Sequence, residues 1–167
     1  WIKWLRRIEI GDQPWHQREE TSKYTDLLAD GRARRFTFIM DAKSVVTNPS
    51  PQAPLRGKGP NVLSGLAWSG RGAISRVDVT LDGGRNWRPA RIDGPALPLS
   101  LTRFYVDLDW SGQEMLIQSR AMDETGYVQP TKGELRAARG ANSIYHNNGI
   151  QTWLVRPDGG TENVEIS

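Results

Sequence analysis

Short runs in which apolar and polar residues alternate recur along most of the chain. Alternation with a period of two is typical of a β-strand that buries one face. Such runs are VLSGLAW, AISRVDVTL, TRFYVDLDW, MLIQSRA, IQTWLVR and ENVEI, preceded by RFTFIMDAKSVV. The pattern predicts roughly seven short strands between residue 36 and the end of the sequence.

The same alternation predicts which side chains face the core. The predicted inward residues are Val77, Val79, Phe104, Leu108 and Trp110. The predicted outward residues of TRFYVDLDW are Arg103, Tyr105, Asp107 and Asp109. Ile74 is an exception, because it falls on the otherwise polar face of its run.

Turn signals separate these runs. The Asp-Gly and Asn-Gly pairs are Asp30-Gly31, Asp82-Gly83, Asp93-Gly94, Asn148-Gly149 and Asp158-Gly159. Both dipeptides tolerate the positive φ that tight hairpin turns require. Pro89 marks the second strand of one predicted hairpin as an edge strand, since proline donates no ladder hydrogen bond. We therefore predict an antiparallel two-sheet sandwich of the immunoglobulin-like type.

Residues 1–35 differ from the rest. WIKWLRRIEI is followed by a polar stretch without a sustained period, which favours a loop that packs against something else. We predict a domain boundary near residue 35, with a tail at 1–35 and the sandwich at 36–167. The proline-rich stretch TNPSPQAPLRGKGPN is predicted to be a long loop inside the sandwich.

Composition excludes several classes of function. The 22 Lys and Arg against 19 Asp and Glu give a net charge of +3, spread without the dense stripe of a nucleic-acid-binding face. No apolar run is long enough to span a bilayer. The sequence contains no Cys, so a disulfide, a thiolate nucleophile and a zinc-thiolate site are all excluded.

Candidate chemistry in the residues themselves is sparse. Two His, at 16 and 146, are too few for an all-His metal site, and no G-x-S-x-G nucleophile motif occurs. The acids of DETGYVQP are interpreted as solvated residues of a turn at a strand end, and YHNNGI as a hairpin turn against which the His146 ring packs locally. The arginines at 32, 34 and 35 are interpreted as a solvated face.

Longer stretches carry a family resemblance. They are WIKWLRRIEI, RFTFIMDAKSVVTNPSP, LSGLAWSGRGAISRVDVTLDGGRNWRPARI, SRAMDETGYVQPT and RGANSIYHNNGIQTWLV, and they cover nearly the whole chain in one order. In that order they resemble the C-terminal part of the sulfite oxidase superfamily of molybdopterin enzymes. DETGYVQPT and YHNNGIQTW resemble most the SoxC group within it, the molybdenum subunits of sulfane (sulfur) dehydrogenases.

This resemblance implies a division of labour. In the family, an N-terminal domain binds the molybdenum cofactor through a Cys, and a C-terminal immunoglobulin-like domain mediates dimerisation. Because this chain has no Cys, we expect it to comprise the tail of the first domain and the whole of the second, and to be inactive alone. The parent enzyme is expected in the periplasm, where it oxidises sulfane sulfur held on a carrier protein and passes electrons to a c-type cytochrome.

Two alternatives remain open: a sulfite oxidase or dehydrogenase that acts on free sulfite, and a free-standing immunoglobulin-like binding module. The resemblance also implies site residues. The family's "VKWL"-like motif corresponds to Ile2-Lys3-Trp4-Leu5, which implies that Lys3 pairs with a pterin phosphate and that Trp1 and Ile2 are its backbone neighbours at the cofactor. Arg103 corresponds to an Arg that some family members direct toward the substrate anion.

A homodimer through the sandwich is the last expectation. Ile74 and Tyr105 are predicted to point outward although they are largely apolar, and both faces of IQTWLVR are apolar as well. Exposed sheet faces are normally polar or charged. We therefore expect part of this surface to be covered by a second copy, in agreement with the resemblance.

Overall fold

A computed structural model describes residues 1–18, 24–35, 38–141 and 146–166. Two antiparallel sheets form a sandwich. The four-stranded sheet has the order β3 (Lys43–Asn48), β4 (Gly59–Trp68), β8 (Thr102–Trp110) and β7 (Arg91–Ile92). The five-stranded sheet has the order β11 (Thr161–Val164), β10 (Thr152–Val155), β9 (Met115–Asp123), β5 (Ile74–Thr80) and β6 (Arg88–Pro89). The predicted immunoglobulin-like architecture is confirmed.

Two smaller elements complete the described fold. A separate hairpin consists of β1 (Thr25–Leu27) and β2 (Ala33–Arg35), and the helix α1 (Lys132–Arg139) follows β9. The hairpin closes at Asp30-Gly31, where the φ of Gly31 is 81° and its amide donates to the Leu28 carbonyl at 3.0 Å. The prediction of a loop is therefore wrong for residues 25–35, whereas residues 1–18 are exposed and contain no strand.

The core lies between the two sheets, as the alternation predicts. Exposed fractions are 0% for Val77, Val79 and Phe104, 2% for Trp110 and 4% for Leu108. Each such side chain stabilises the fold by about 1.5–3 kcal/mol relative to an exposed one. The predicted core residues are all confirmed.

The predicted orientation of the Ile74 side chain is wrong. The residue is 3% exposed and belongs to the core. The pairing of β5 with β9 shifts register between Ile74 and Arg76, since Ile74 pairs with Asp123 and Arg76 with Met122. A β-bulge adds one residue to one strand, and a one-residue shift exchanges the two faces. Ile74 therefore turns inward and gives no support to a dimer.

The edge prediction at Pro89 is confirmed. β6 is the edge strand of the five-stranded sheet. The Ala90 amide still donates to the Val77 carbonyl at 2.8 Å, and the chain then crosses to the other sheet as β7. One predicted strand thus contributes to both sheets.

Two further predictions need correction. RFTFIMDAKSVV forms a strand only from Lys43 onward, while residues 38–42 are outside any strand and 36–37 are outside the described residues. Asn148-Gly149 is not an exposed turn. Asn148 is 2% exposed and donates to the Ala42 carbonyl at 3.2 Å, so its side chain links distant segments.

Both faces of β10 are covered within the chain itself. Val155 is fully buried in the core, and the Trp153 indole donates to the Val46 carbonyl at 2.9 Å. On the opposite face, Thr152 is 3% exposed and accepts from Gln118 at 2.8 Å. The apolar character of IQTWLVR is thus explained without a second copy.

Candidate functional site

A groove of about 1180 Å³ lies beside α1. It lies over the outer surface of the five-stranded sheet, where Gln118 and Arg120 of β9 and Thr152 of β10 form part of its lining. The cationic residues that line the groove are Arg34, Arg71, Arg120, Lys132, Arg136 and Arg139. The acidic lining residues are Asp41 and Glu134. Excess positive charge around a cleft attracts anions.

Helix α1 places several of these cations, and local sequence explains why it forms. The Thr131 hydroxyl accepts a hydrogen bond from the Glu134 amide at 3.2 Å, and the Glu134 carboxylate accepts one from the Thr131 amide at 2.8 Å. This reciprocal capping box stabilises the first helical turn. Hydrogen bonds from Thr131 lower the pKa of Glu134, so that the cap stays ionised. The helix ends at Gly140, whose φ is 84°.

Leu135 anchors α1, and the charged residues lie around it. Leu135 is 8% exposed, whereas Lys132 and Arg136, one turn apart, both pair with Glu165 near the end of the chain. The Nζ of Lys132 lies 3.3 Å from a Glu165 oxygen, and the Nη2 of Arg136 lies 2.5 Å from the other. These two cations lower the pKa of Glu165. The pairs fix the outer rim of the groove.

A buried ionic cluster closes the inner end of the groove. We define it as Asp26, Asp41, Arg71, Arg139 and His146. Arg139 Nη1 lies 3.4 Å from Asp26 and Nη2 lies 3.1 Å from Asp41, while Arg71 Nε lies 2.7 Å from the other Asp41 oxygen. The Arg139 side chain is only 11% exposed and both Asp side chains 6%. The two carboxylates are balanced by two guanidinium groups, as burial of charge requires.

Asp41 also contacts His146. The imidazole Nε2 lies 3.1 Å from Asp41 Oδ2, and the ring is 2% exposed. Burial and the nearby Arg139 charge lower the pKa of His146, and they outweigh the opposing effect of Asp41 and Asp26. The ring is therefore neutral at neutral pH. The interpretation of His146 as a ring that packs only on a local hairpin is wrong.

The cluster also joins the leading hairpin to the sandwich. Asp26 belongs to β1, Arg139 ends α1, and Arg71 follows β4. Asp41 raises the pKa of Arg71 through a hydrogen bond and its charge. The Arg71 guanidinium also lies 5.9 Å from the centroid of the Tyr127 ring. The groove is thus built from segments far apart in sequence.

The other end of the groove carries an aromatic surface. The Arg120 guanidinium lies 4.4 Å from the centroid of the Trp87 ring and 3.2 Å from a carboxylate oxygen of Asp78. The Trp87 indole donates to the Gly84 carbonyl at 3.0 Å. A turn organised by Asp82 holds this segment, because the Asp82 carboxylate accepts a hydrogen bond from the Thr80 hydroxyl at 2.7 Å. This hydrogen bond and those from Asn86 strongly lower the pKa of Asp82. Arg120 is therefore oriented by partners on two sides.

The predicted site residues lie elsewhere. Trp1 and Ile2 are exposed, and Lys3 is exposed with its Nζ 4.6 Å from the centroid of the Trp1 ring. Arg103 is exposed on β8, on the outer face of the four-stranded sheet. The groove borders the opposite sheet, so the structure does not bring Arg103 to it. The roles of Trp1, Ile2, Lys3 and Arg103 stay predictions.

DETGYVQP forms the predicted turn at the end of β9, but the prediction of solvated acids is wrong for Asp123, which is 1% exposed. Although burial by itself raises its pKa, hydrogen bonds from Thr125 and Ser69 leave the pKa of Asp123 lowered. Its carboxylate accepts from the Thr125 hydroxyl at 2.6 Å and from the Ser69 hydroxyl at 2.7 Å. The arrangement is a closed turn, without a separated pair of carboxyl groups for acid and base catalysis.

Sequence reasoning missed Arg71, Arg120 and Arg139, the groove residues that are held by buried or half-buried partners. One signal was present: Thr131 followed by Glu134 is the sequence pattern of a capping box. This pattern would have predicted α1, and it would have placed the basic residues at 132, 136 and 139 on that helix. The pairing of Asp26 and Asp41 with Arg139 has no comparable local signal.

Within the described ranges, no group of three or more His, Asp or Glu side chains is arranged to hold a metal ion. The sequence has no Cys, so this chain does not supply the thiolate ligand that the family resemblance implies for molybdenum. No helix in the described part of the chain is long and apolar enough to cross a membrane.

Comparison with protein families and known sequences gives a consistent result. The family described as the Mo-co oxidoreductase dimerisation domain matches residues 34–153. Sulfite oxidase from Gallus gallus is 32% identical over 143 residues, which cover 77% of this chain and 31% of that protein. Nitrate reductase (NADH) from Solanum lycopersicum is 31% identical over 157 residues, which cover 78% of this chain and 17% of that protein.

Comparison with solved structures gives a closer relationship. The crystal structure of the sulfane dehydrogenase SoxCD from Paracoccus pantotrophus contains a chain that matches with a TM-score of 0.91 and 68% sequence identity. The match covers 100% of this chain and 43% of that chain. This chain therefore spans less than half of the solved chain and about a third or less of the two curated relatives.

Proposed function

The chain belongs to the family of Mo-co oxidoreductase dimerisation domains, and from this premise we propose that it is the C-terminal dimerisation part of a molybdenum-dependent sulfur-compound oxidoreductase. The proposed parent enzyme is a sulfane dehydrogenase of the SoxC type, which oxidises protein-bound sulfane sulfur and passes electrons to a c-type cytochrome. The observation that carries the proposal is the 68% identity to the SoxCD chain over the whole of this sequence.

The choice of substrate rests on the difference between two similarities. Identity to the SoxCD chain is 68%, whereas identity to Gallus gallus sulfite oxidase is 32%. A sulfite-oxidising enzyme is therefore the second candidate. A free-standing binding module is the third candidate, and the exposed apolar residues at the start of the chain disfavour it. Trp1, Ile2, Trp4 and Ile8 are each at least 76% exposed, which favours their burial against a further domain of the parent protein.

We propose that the cofactor and this chain make different contributions to the reaction. When bound in the parent protein, the molybdenum cofactor supplies the two-electron oxidation of sulfur. We propose that this chain contributes positive charge and positioning, because six Arg and Lys side chains line the groove. The groove is the surface that we propose to face the anionic sulfur substrate, since Arg71 is a half-exposed cation at its inner end.

Arg103 and the groove lie on the outer faces of different sheets. Face-packed sheets are about 10 Å apart, and their outer side chains point in opposite directions. Arg103 and Arg71 therefore do not contact the same small anion from one copy of the chain. The substrate roles of the two arginines are tested in the parent enzyme with the separate variants Arg71→Gln and Arg103→Gln. Arg71→Gln is expected to raise KM for the sulfur substrate, and Arg85→Gln, in an exposed turn, is the matched control.

Lys3 is tested by metal content. If Lys3 pairs with a pterin phosphate as the resemblance implies, Lys3→Ala in the parent protein lowers molybdenum occupancy, because an ammonium partner of the phosphate is lost. Lys58→Ala, at an exposed loop position, is the control. Unchanged molybdenum content in Lys3→Ala removes Lys3 from the proposed cofactor site.

The function itself is tested by the coding region upstream of Trp1. A Cys-bearing domain of the molybdopterin type there supports the proposal, and a stop codon or an unrelated domain contradicts it. The protein from the longer reading frame is then assayed with carrier-bound sulfane sulfur and with sulfite, with cytochrome c reduction as the readout. Oxidation of sulfite alone favours the second candidate. Periplasmic location, which we propose by similarity only, is tested by cell fractionation.

A further inference from the structure

Most of the cations that line the groove are already paired with acidic residues. The existing ion pairs are Arg120 with Asp78, Lys132 and Arg136 with Glu165, and Arg139 with Asp26 and Asp41. Arg34 and Arg71 are the two remaining groove cations. In the part of the chain that the structure describes, Arg34 has no ion pair and Arg71 has one, with Asp41. An incoming anion therefore finds free donor groups at these two residues.

Asp41 contacts only one edge of the Arg71 guanidinium. Arg71 Nε lies 2.7 Å from Asp41 Oδ1, and no described residue forms a hydrogen bond or ion pair with Nη1 or Nη2. The Arg71 side chain is 42% exposed, whereas that of Asp41 is 6% exposed. The buried carboxylate thus holds the guanidinium from the protein side. The N–H groups of both Nη nitrogens are left for a ligand in the groove.

Asp41 can hold Arg71 in place because its other oxygen is fixed as well. Asp41 Oδ2 lies 3.1 Å from Arg139 Nη2 and 3.1 Å from His146 Nε2. The Arg71 backbone amide in turn donates to the Ser69 hydroxyl at 3.0 Å. Arg71 is therefore held both at its backbone and at Nε. Such preorganisation lowers the conformational entropy that is lost when a ligand binds.

Two further side chains complete the inner end of the groove. The centroid of the Tyr127 ring lies 5.9 Å from the Arg71 guanidinium, and the Tyr127 hydroxyl accepts a hydrogen bond from the Asn148 amide at 3.1 Å. Arg34 is directly opposite Asp26 in the β1–β2 hairpin, so both side chains lie on the same face of the hairpin. Asp26 belongs to the buried ionic cluster at this end. Arg34 thus brings a second unpaired cation there.

The free end of a guanidinium selects the shape of an anion as well as its charge. Its parallel N–H groups bind two oxygens of one carboxylate or phosphate at the same time. Sulfite, sulfate and sulfonate groups also carry several oxygens on one atom. A halide or a bare sulfur anion presents a single atom, and it gains only the attraction between charges. The Arg71 geometry therefore favours sulfur that carries oxygen over sulfur that does not.

We propose that Arg71, with Arg34 beside it, binds an oxyanion in which one sulfur atom carries two or more oxygens. The choice of sulfur rests on the proposed function, which this site deepens by naming the chemical form that the groove recognises. A free sulfur oxyanion and a sulfonate group on an organic carrier share this chemistry. Positive charge in the groove attracts anions in general, whereas the free Nη groups of Arg71 distinguish oxidised sulfur from the rest.

A nuclear magnetic resonance titration of the 167-residue chain tests the site. The Arg71 Nε–H group donates to Asp41 and provides a side-chain signal beside the ligand. Sodium sulfate represents a free oxyanion, and S-sulfocysteine represents oxidised sulfur on an organic carrier. Both are added at constant ionic strength, with sodium chloride as the reference. Each is expected to shift the Arg71 signal and to saturate it with a Kd on the order of 1 mM, whereas chloride is expected to cause no saturable shift.

Variants separate the shape of the donor from its charge, with the Tyr127 backbone amide as the signal that all of them retain. Arg71→Gln removes both properties and is expected to weaken binding about tenfold or more. Arg71→Lys keeps a cation beside Asp41 but loses the paired N–H groups, and it is expected to bind about threefold or more weakly. Arg34→Gln is expected to weaken binding about threefold. Arg85→Gln, in an exposed turn, is the matched control and is expected to leave Kd unchanged.

Three results would overturn the proposed site. They are a saturable chloride shift equal to that of sulfate, an Arg71→Lys variant that binds as tightly as the unaltered chain, and the absence of any shift at Arg71 with either ligand up to about 50 mM. Arg71→Lys keeps the test valid if Arg71→Gln does not fold, because Asp41 retains a cation. The lower of the two Kd values identifies the source of the oxyanion.

Failure of this site and failure of the proposed function give different results. Oxyanion binding at Arg71, together with a parent protein that oxidises neither carrier-bound sulfane sulfur nor sulfite, leaves the site standing and contradicts the proposed function. A parent protein that oxidises sulfur while neither ligand reaches Arg71 contradicts the site alone.

Discussion

Removal of the Arg139 side chain tests the buried ionic cluster. Arg139 Nη1 lies 3.4 Å from Asp26 and Nη2 lies 3.1 Å from Asp41. In Arg139→Ala, Asp26 loses the ion-pair partner that the described structure gives it, while Asp41 keeps Arg71 at 2.7 Å. The two carboxylates remain buried, because their side chains are only 6% exposed. The variant thus leaves the buried carboxylate of Asp26, in β1, without its ion-pair partner Arg139.

The expected cost follows from that burial. Loss of one partner from a buried ion pair costs about 3–5 kcal/mol, and the lower end applies because Asp41 retains a cation. Alanine favours the helix over arginine by only about 0.2 kcal/mol, which does not offset the loss. We therefore expect the free energy of unfolding to fall by about 3 kcal/mol, a large part of the total stability of an ordinary domain.

Urea unfolding of the 167-residue chain measures this change. Arg136→Ala is the matched control, since Arg136 lies on the same helix but its pair with Glu165 is 55% and 46% exposed. An exposed pair of this kind contributes about 0–1 kcal/mol. Equal losses below about 1 kcal/mol in the two variants would show that Arg139 stabilises the fold no more than an exposed ion pair does. In a double-mutant cycle, Asp26→Asn should recover part of the loss in Arg139→Ala.

Three further changes have defined outcomes. Burial lowers the pKa of His146 below 6.5, so the unfolded chain binds a proton at His146 more readily than the folded chain does. The free energy of unfolding should therefore fall as pH decreases from about 7 to 5. If urea unfolding of His146→Gln shows the same dependence of stability on pH, this expectation is wrong. Gly65→Ala places a methyl group against the Phe104 ring and the Val45 carbonyl of the two neighbouring strands. A loss of about 1–3 kcal/mol is expected in urea, and a neutral effect would show that the Phe104 ring and β3 can shift to make room. Thr131→Ala removes the α1 cap and should cost about 1 kcal/mol, measured against the conservative Thr131→Ser, which keeps the hydroxyl; equal losses in both variants would count against the cap.

The sandwich and its core were predictable because the strand period is local. The alternation in TRFYVDLDW predicted Phe104, Leu108 and Trp110 as core residues, and all three are buried. Ile74 was assigned to the wrong face because the bulge beside it depends on pairing with β9. No residue type within its run encodes that shift.

The candidate site was much less predictable. The groove combines β9, β10, α1 and the loops that carry Asp41 and Arg71, which only the completed fold brings together. His146 illustrates the reason, since its contact with Asp41 is set by the packing of distant segments. Family resemblance identified the protein class, and it directed attention to Lys3 and Arg103, which lie outside the groove.

The molybdenum content of the protein from the complete reading frame tests whether the parent protein is a molybdenum enzyme. The frame that contains this chain is expressed in a host that makes the molybdenum cofactor, and bound metal is measured by mass spectrometry beside the 167-residue chain alone. About one molybdenum per chain is expected in the longer protein. None is expected in the shorter one, which has no Cys. A longer protein that lacks molybdenum would contradict the assignment to a molybdenum-dependent oxidoreductase.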